Sequence, residues 1–121
     1  MKARRIEFPV IALTMNVTNE AEDTVEQVPV SAQDLMIAAL FDSFGRGFTA
    51  EELDQRFPIS KIIREAKESA LLSEEDWTLL DKQMTNHRWL WNHEDICRVR
   101  DAIKNAEKVP VKEAGEIKVE D

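Results

Sequence analysis

His93 and Cys97 stand four residues apart in the run NHEDICRVR, a spacing that puts both on one face of a helix, with His87 and Glu94 near enough to offer a third donor. These are metal-ligand residue types. Zinc takes three or four converging ligands, however, and the chain has no second Cys/His pair at finger-like spacing. Cys97 is therefore expected to be half-buried as a small apolar residue beside a histidine in the capping region, and no metal or other cofactor is expected. Cys97 with His87 or His93 is also the one conceivable thiol pair for acyl transfer. Neither a glycine-rich oxyanion loop nor a nucleophile elbow accompanies it, so the reading is non-enzymatic. Paired carboxylates occur at Glu51-Glu52 and at Glu74-Glu75-Asp76, directly after Thr49 and Ser73. That is where the first turn of a helix favours negative charge, which explains them without acid–base work. Gly45-Arg46-Gly47 lacks the spacing and the lysine of a phosphate loop and reads as a helix stop.

A different chemistry, recognition, is suggested by the tryptophans. Trp89 and Trp91 lie two apart, so in an extended corner they point to opposite sides with Leu90 on the face between, one sealing the core and the other free to meet a partner. Tryptophan and arginine dominate binding hot spots, and Arg88, Arg98 and Arg100 are near in sequence.

The elements that must position these residues follow from periodicity. Arg4 to Val17 alternates on one parity (Ile6, Phe8, Val10) and then on the other (Ile11, Leu13, Met15, Val17), which predicts a strand with a bulge or edge position near Pro9. After an acidic turn, Val25 to Val30 offers a second strand, and the two read as an N-terminal hairpin. Ser31 with Asp34 forms a capping box opening an apolar helix that stops near Phe44-Gly47. Thr49 with Glu52 starts a short helix that turns Leu53 and Phe57 inward and halts at Pro58, and Ser60 caps another, 61–70, with Ile62, Ile63, Ala66 and Ala70 on one face. Ser73 with Asp76 opens a helix whose buried stripe is Trp77, Leu80 and Met84. Asn92 with Asp95 caps the last helix, whose inward face is Ile96, Val99, Ile103 and Ala106. The expected fold is α+β: an N-terminal β-hairpin, a bundle of four to five short helices and a possible C-terminal strand, with one domain over 1–108 and a charged tail or added strand over 109–121.

The net charge of −8 over 121 residues opposes association with a phosphate backbone, so no nucleic acid is expected. A helix-turn-helix over 49–70 would present Lys61, Arg64 and Lys67 against Glu65 and Glu68, a nearly neutral face. Glu7 and Pro9 interrupt the first apolar run, and no run is long enough to span a bilayer, so neither a signal peptide nor a membrane is expected.

The order FTAEELDQRFPISKIIREAKE followed by LSEEDWTLLDKQMTNHRWLWNHEDICRVRDAIKNA resembles a type of small product encoded by tailed bacteriophages, in which a short ribbon precedes an acid box, a helix, a tryptophan corner and a helix. The resemblance implies a phage setting, in the bacterial host cytoplasm or the virion, and a non-enzymatic part in particle assembly or host takeover. The expected partner is a protein, another virion protein or a copy of this chain. Contact is expected through strand addition at the N-terminal ribbon or at Val109, Val111, Ile117 and Val119, and through Arg88, Trp89, Trp91 and Arg98. The alternative is an acidic inhibitor or nucleic-acid mimic that blocks a basic site on a host protein.

Overall fold

The computed structural model describes residues 2–89 and 93–110. Its elements run β1 (Lys2–Glu7), β2 (Thr14–Asn19), β3 (Thr24–Pro29), α1 (Ala32–Leu40), α2 (Ala50–Glu65), β4 (Ser69–Ser73), α3 (Glu74–Asn86), α4 (Glu94–Lys104) and β5 (Glu107–Pro110). The fold is α+β, and the described residues form a β-hairpin near the N-terminus, four helices and a short strand after the last helix.

The first strand behaves differently from its sequence reading. β1 does not pair with the hairpin; it is the centre of a three-stranded antiparallel sheet, order β4-β1-β5, with Ile6 opposite Ala70 and Ala3 opposite both Ser73 and Val109. The change of alternation at Pro9 to Ile11 is thus the point where the chain leaves one sheet for another, not a bulge within a strand. Among the described residues β2 and β3 pair only with each other, Thr14 opposite Pro29 through Asn19 opposite Thr24. β5 continues past Lys108 to Pro110 and is the third strand of the sheet.

α1 is the axis of the core. Ser31 Oγ accepts from Asp34 N at 3.1 Å and Asp34 Oδ2 accepts from Ser31 N at 3.0 Å, the expected reciprocal cap. Ala32, Leu35, Met36, Ala39 and Leu40 are buried against Ile6, Ile59, Ile63, Leu72, Leu80, Val99 and Ile103. α2 is a single helix, capped by Thr49 as predicted, and it runs through Pro58 rather than halting there. Pro58 and Asp54 are both exposed, so the carbonyl deprived of its amide partner lies on the wet side, and burial of Arg56, Ile59 and Ile63 on the other side holds the helix together. Ser60 is not a cap; its Oγ donates to Phe57 O at 2.8 Å. The continuous turn also rotates Phe57 outward, to 58% exposure, and leaves Ile62 at the surface.

Residues 69–73, read as the end of a helix and a loop, are strand β4, with Ala70 and Leu72 buried. Ser73 then caps α3, accepting from Asp76 N at 3.1 Å. α3 and α4 are clamped to β1 by Arg4: its Nε and Nη2 donate to the two oxygens of Glu74 at 2.9 and 3.0 Å, its Nη1 donates to Ala106 O at 3.2 Å, and its guanidinium lies 3.9 Å from the centre of Trp77. Trp77 Nε1 donates to Ile103 O at 2.8 Å, which is why this tryptophan is half-buried while Leu80 and Met84 are fully covered.

Candidate functional site

Three surfaces could carry recognition: the corner between α3 and α4, the β2–β3 hairpin, and a groove beside the end of α1. The corner is tied to the core more firmly than its tryptophan content suggests. His87, the C-cap of α3, brings Nδ1 within 2.6 Å of Asp42 Oδ2, and Asp42 Oδ1 accepts from Phe44 N at 2.7 Å. The Phe44 amide and, after it, His87 hold the Asp42 carboxyl below the usual carboxylate range. Trp89 sits edge-on to His87 at 4.3 Å and is half-buried against the core. Arg88 is exposed beside it, and Trp91 lies outside the described residues.

His93, not Asn92, caps α4: its Nδ1 accepts from Asp95 N at 3.0 Å. Cys97 is exposed rather than half-buried. Among the described residues no three His, Cys, Asp or Glu side chains are grouped to hold a metal. Asp95 is the buried anion of this region, at 3% exposure. It accepts from Ala12 N at 2.7 Å and from Arg98 Nη1 at 3.2 Å, and the Ala12 amide, then Arg98 and His93, hold its carboxyl below the usual range. Arg98 is therefore a partner of Asp95 as well as a candidate contact. Val109 is 3% exposed, on the sheet face it shares with Ala3 and opposite to that of Ile6 and Leu72, so an added strand at β5 would meet its backbone and not its side chain. Val111, Ile117 and Val119 lie outside the described residues.

The hairpin is the opposite case. No residue of β2 or β3 is buried; Val25 is 63% exposed, and Met15, Val17 and Val28 are about two-fifths exposed. The register puts Met15, Val17 and Val28 on one face. Residues 14–29 contain four acids, Glu20, Glu22, Asp23 and Glu26, and no base. The turn is shaped by Asn19, whose Oδ1 accepts from Ala21 N at 3.1 Å, and by Asp23 at φ 53°. The attachment is at the base: Leu13 and Val30 are buried, Val30 N donates to Leu13 O at 2.9 Å, and Ala12 is held by Asp95. The outer edge of β3 carries Glu26 and Pro29, both devices that discourage strand addition, whereas β2, TMNVTN, carries neither charge nor proline.

The groove, of about 510 Å³, lies over the C-terminus of α1. Two side chains from other helices satisfy the carbonyls that a helix end leaves unpaired. Gln83 Nε2 donates to Ala39 O, Leu40 O and Asp42 O at 3.1, 3.3 and 2.8 Å, and Arg56 Nε donates to Leu40 O at 3.1 Å. Arg56 Nη1 donates to Glu52 O at 3.3 Å, and its guanidinium lies 4.7 Å from the centre of Phe48. Phe44, at the rim, is 42% exposed and adopts φ 54°, a left-handed conformation that is uncommon for a bulky side chain. These caps were not legible beforehand, because Gln83 and Arg56 reach backbone 43 and 16 residues away from their own positions.

No family model, curated protein or solved structure matches the chain. No helix among the described residues is long and apolar enough to cross a membrane.

Proposed function

We propose that the chain is a non-enzymatic interaction protein that binds a partner protein by strand addition to β2, with the acidic turn of the hairpin steering it toward a basic surface. The observation that carries this reading is the β2–β3 hairpin itself, an ordered ribbon with no buried residue, three apolar side chains on one face and an unguarded outer edge. Strand addition draws affinity from backbone hydrogen bonds and specificity from alternate side chains, and β2 supplies both. The resemblance of the sequence to small tailed-bacteriophage products supports a role as a virion accessory or assembly factor. The corner, with Arg88 and Trp89, is a second contact surface.

Glu20, Glu22, Asp23 and Glu26 also favour the inhibitor reading, in which the hairpin fills a basic site on a host protein. Co-purification from producing cells separates the two. Met15→Lys with Val17→Lys should abolish recovery of the partner while leaving the circular dichroism spectrum unchanged; full recovery by that variant refutes β2 as the contact. Changing Glu20, Glu22 and Asp23 to their amides should slow association severalfold if the acids only steer. Under the inhibitor reading the same change removes binding.

A further inference from the structure

We infer that the groove over the end of α1 is a binding site for an organic oxyanion, a phosphate or carboxylate borne on a flat apolar body, independent of the hairpin. In a chain of net charge −8, this groove is lined by three cations, Arg46, Arg56 and Lys82, against one anion, Glu52. Glu52 is engaged in the α2 cap, where its Oε1 accepts from Thr49 N at 2.9 Å, and its single charge is shared between Arg56 and Arg46, which leaves the groove a net positive charge. Arg46 and Lys82 make no ion pair among the described residues. Arg56 is fixed by its bonds to Leu40 O and Glu52 O, yet its Nη2 donates to no described residue. Among the described residues no fully buried side-chain nitrogen lacks a partner, so Nη2 keeps some contact with solvent although Arg56 as a whole is buried, at 6% exposure. A guanidinium held rigid with one amine free is preorganised for an oxyanion, and the other two cations add charge on long exposed arms.

The rim supplies the apolar half. Phe44 and Leu79 line the groove. Phe44 keeps a left-handed backbone conformation beside Gly45 and Gly47, in a loop where its side chain is too exposed to be needed for packing. The conformation belongs to the turn over residues 43–46, where Arg46 N donates to Ser43 O at 3.1 Å and Phe44 and Gly45 are the two central residues at φ 54° and 83°; a glycine would serve the first position at less cost, so a phenylalanine kept there is a pointer to binding. Gln55 and Asn86 add amide groups at the edge, and the volume falls within the ~300–1,000 Å³ typical of small-ligand sites.

The test is a ¹⁵N NMR titration of the full chain with phenyl phosphate, benzoate, inorganic phosphate and benzyl alcohol, following the Arg56 Nε–H and the side-chain amides of Gln55 and Asn86. Saturable shifts are expected with phenyl phosphate or benzoate, at least tenfold tighter than with inorganic phosphate, and none with benzyl alcohol; which of the first two binds tighter identifies the oxyanion. Lys82→Glu and Arg46→Glu, both at exposed positions, should each weaken binding tenfold or more. Phe44→Gly should raise or preserve the melting temperature while reducing phenyl phosphate to the affinity of inorganic phosphate. Absence of saturable shifts with both aromatic anions, or unchanged affinity in Lys82→Glu, overturns the site. Neither result bears on the hairpin, which lies outside the groove.

Discussion

Two antiparallel pairings of similar length meet opposite fates in this molecule. β1–β4 buries Ile6, Ala70 and Leu72 on one face, with Ile6 and Leu72 packed into the helical core, whereas β2–β3 buries nothing. By intrinsic preference the order is reversed: the hairpin is rich in Thr and Val, while β4 is Ser-Ala-Leu-Leu-Ser. Strand propensity thus says that a segment suits a pleated surface, not that it belongs to the core. A lone two-stranded ribbon is marginal in water. This one is held from its base, by buried Leu13 and Val30 and by the Asp95 bond to Ala12, which leaves its length available to a partner.

The largest test of that contrast is a pair of truncations. Leu35→Ala, in the fully buried face of α1, should cost about 2–5 kcal/mol in urea denaturation, because it removes apolar contacts and leaves a cavity. Val17→Ala should stay within about 0.5 kcal/mol. If Val17→Ala costs as much as Leu35→Ala, the hairpin packs against the domain and the contrast fails.

A smaller loss is expected at the end of α1. Gln83→Leu keeps approximate volume but removes the only amide that reaches Ala39 O, Leu40 O and Asp42 O among the described residues, and should cost about 1–3 kcal/mol. Gln83→Glu should be no better, since a carboxylate cannot donate to those carbonyls. Retained stability in both variants would mean that water replaces the amide.

These two sites differ in how far they could be read from the chain. The capping boxes at Ser31 and Thr49, the apolar face of α1 and the Ile96, Val99, Ile103 face of α4 are local patterns, and each is found where its spacing put it. What failed was decided at long range. Pro58 breaks a helix locally, but burial of Ile59 and Ile63 overrides it; five residues are too few for β4 to declare a period; and β1 finds partners 62 and more residues away instead of the adjacent hairpin. The hairpin was legible as a ribbon, though not as a ribbon standing apart. Of the expected contact residues, Trp89 is partly committed to the core and Val109 is buried in the sheet, a fact that composition does not carry.

The smallest effect concerns the joint between the two regions. Asp95, whose carboxyl is held below the usual range chiefly by the Ala12 amide, is favoured in its charged form by folding. A depressed folded value means that this stabilisation is fully present above the unfolded value, about 3.9, and is lost as pH falls through the lower folded value. Asp42, Glu52 and Glu74 are shifted in the same direction, so the acid limb of the stability curve is shared and Asp95→Asn should flatten only part of it. The sharper readout is local. Asp95→Asn keeps an acceptor for Ala12 but removes its charge, so at pH 7 amide exchange should quicken at Ala12 and in β2 and β3 while α1 is unchanged. Equal acceleration in α1 would show that the base of the hairpin belongs to the core's cooperative unit. In that case the two regions open together, and a partner bound to β2 would stabilise the whole domain rather than the ribbon alone.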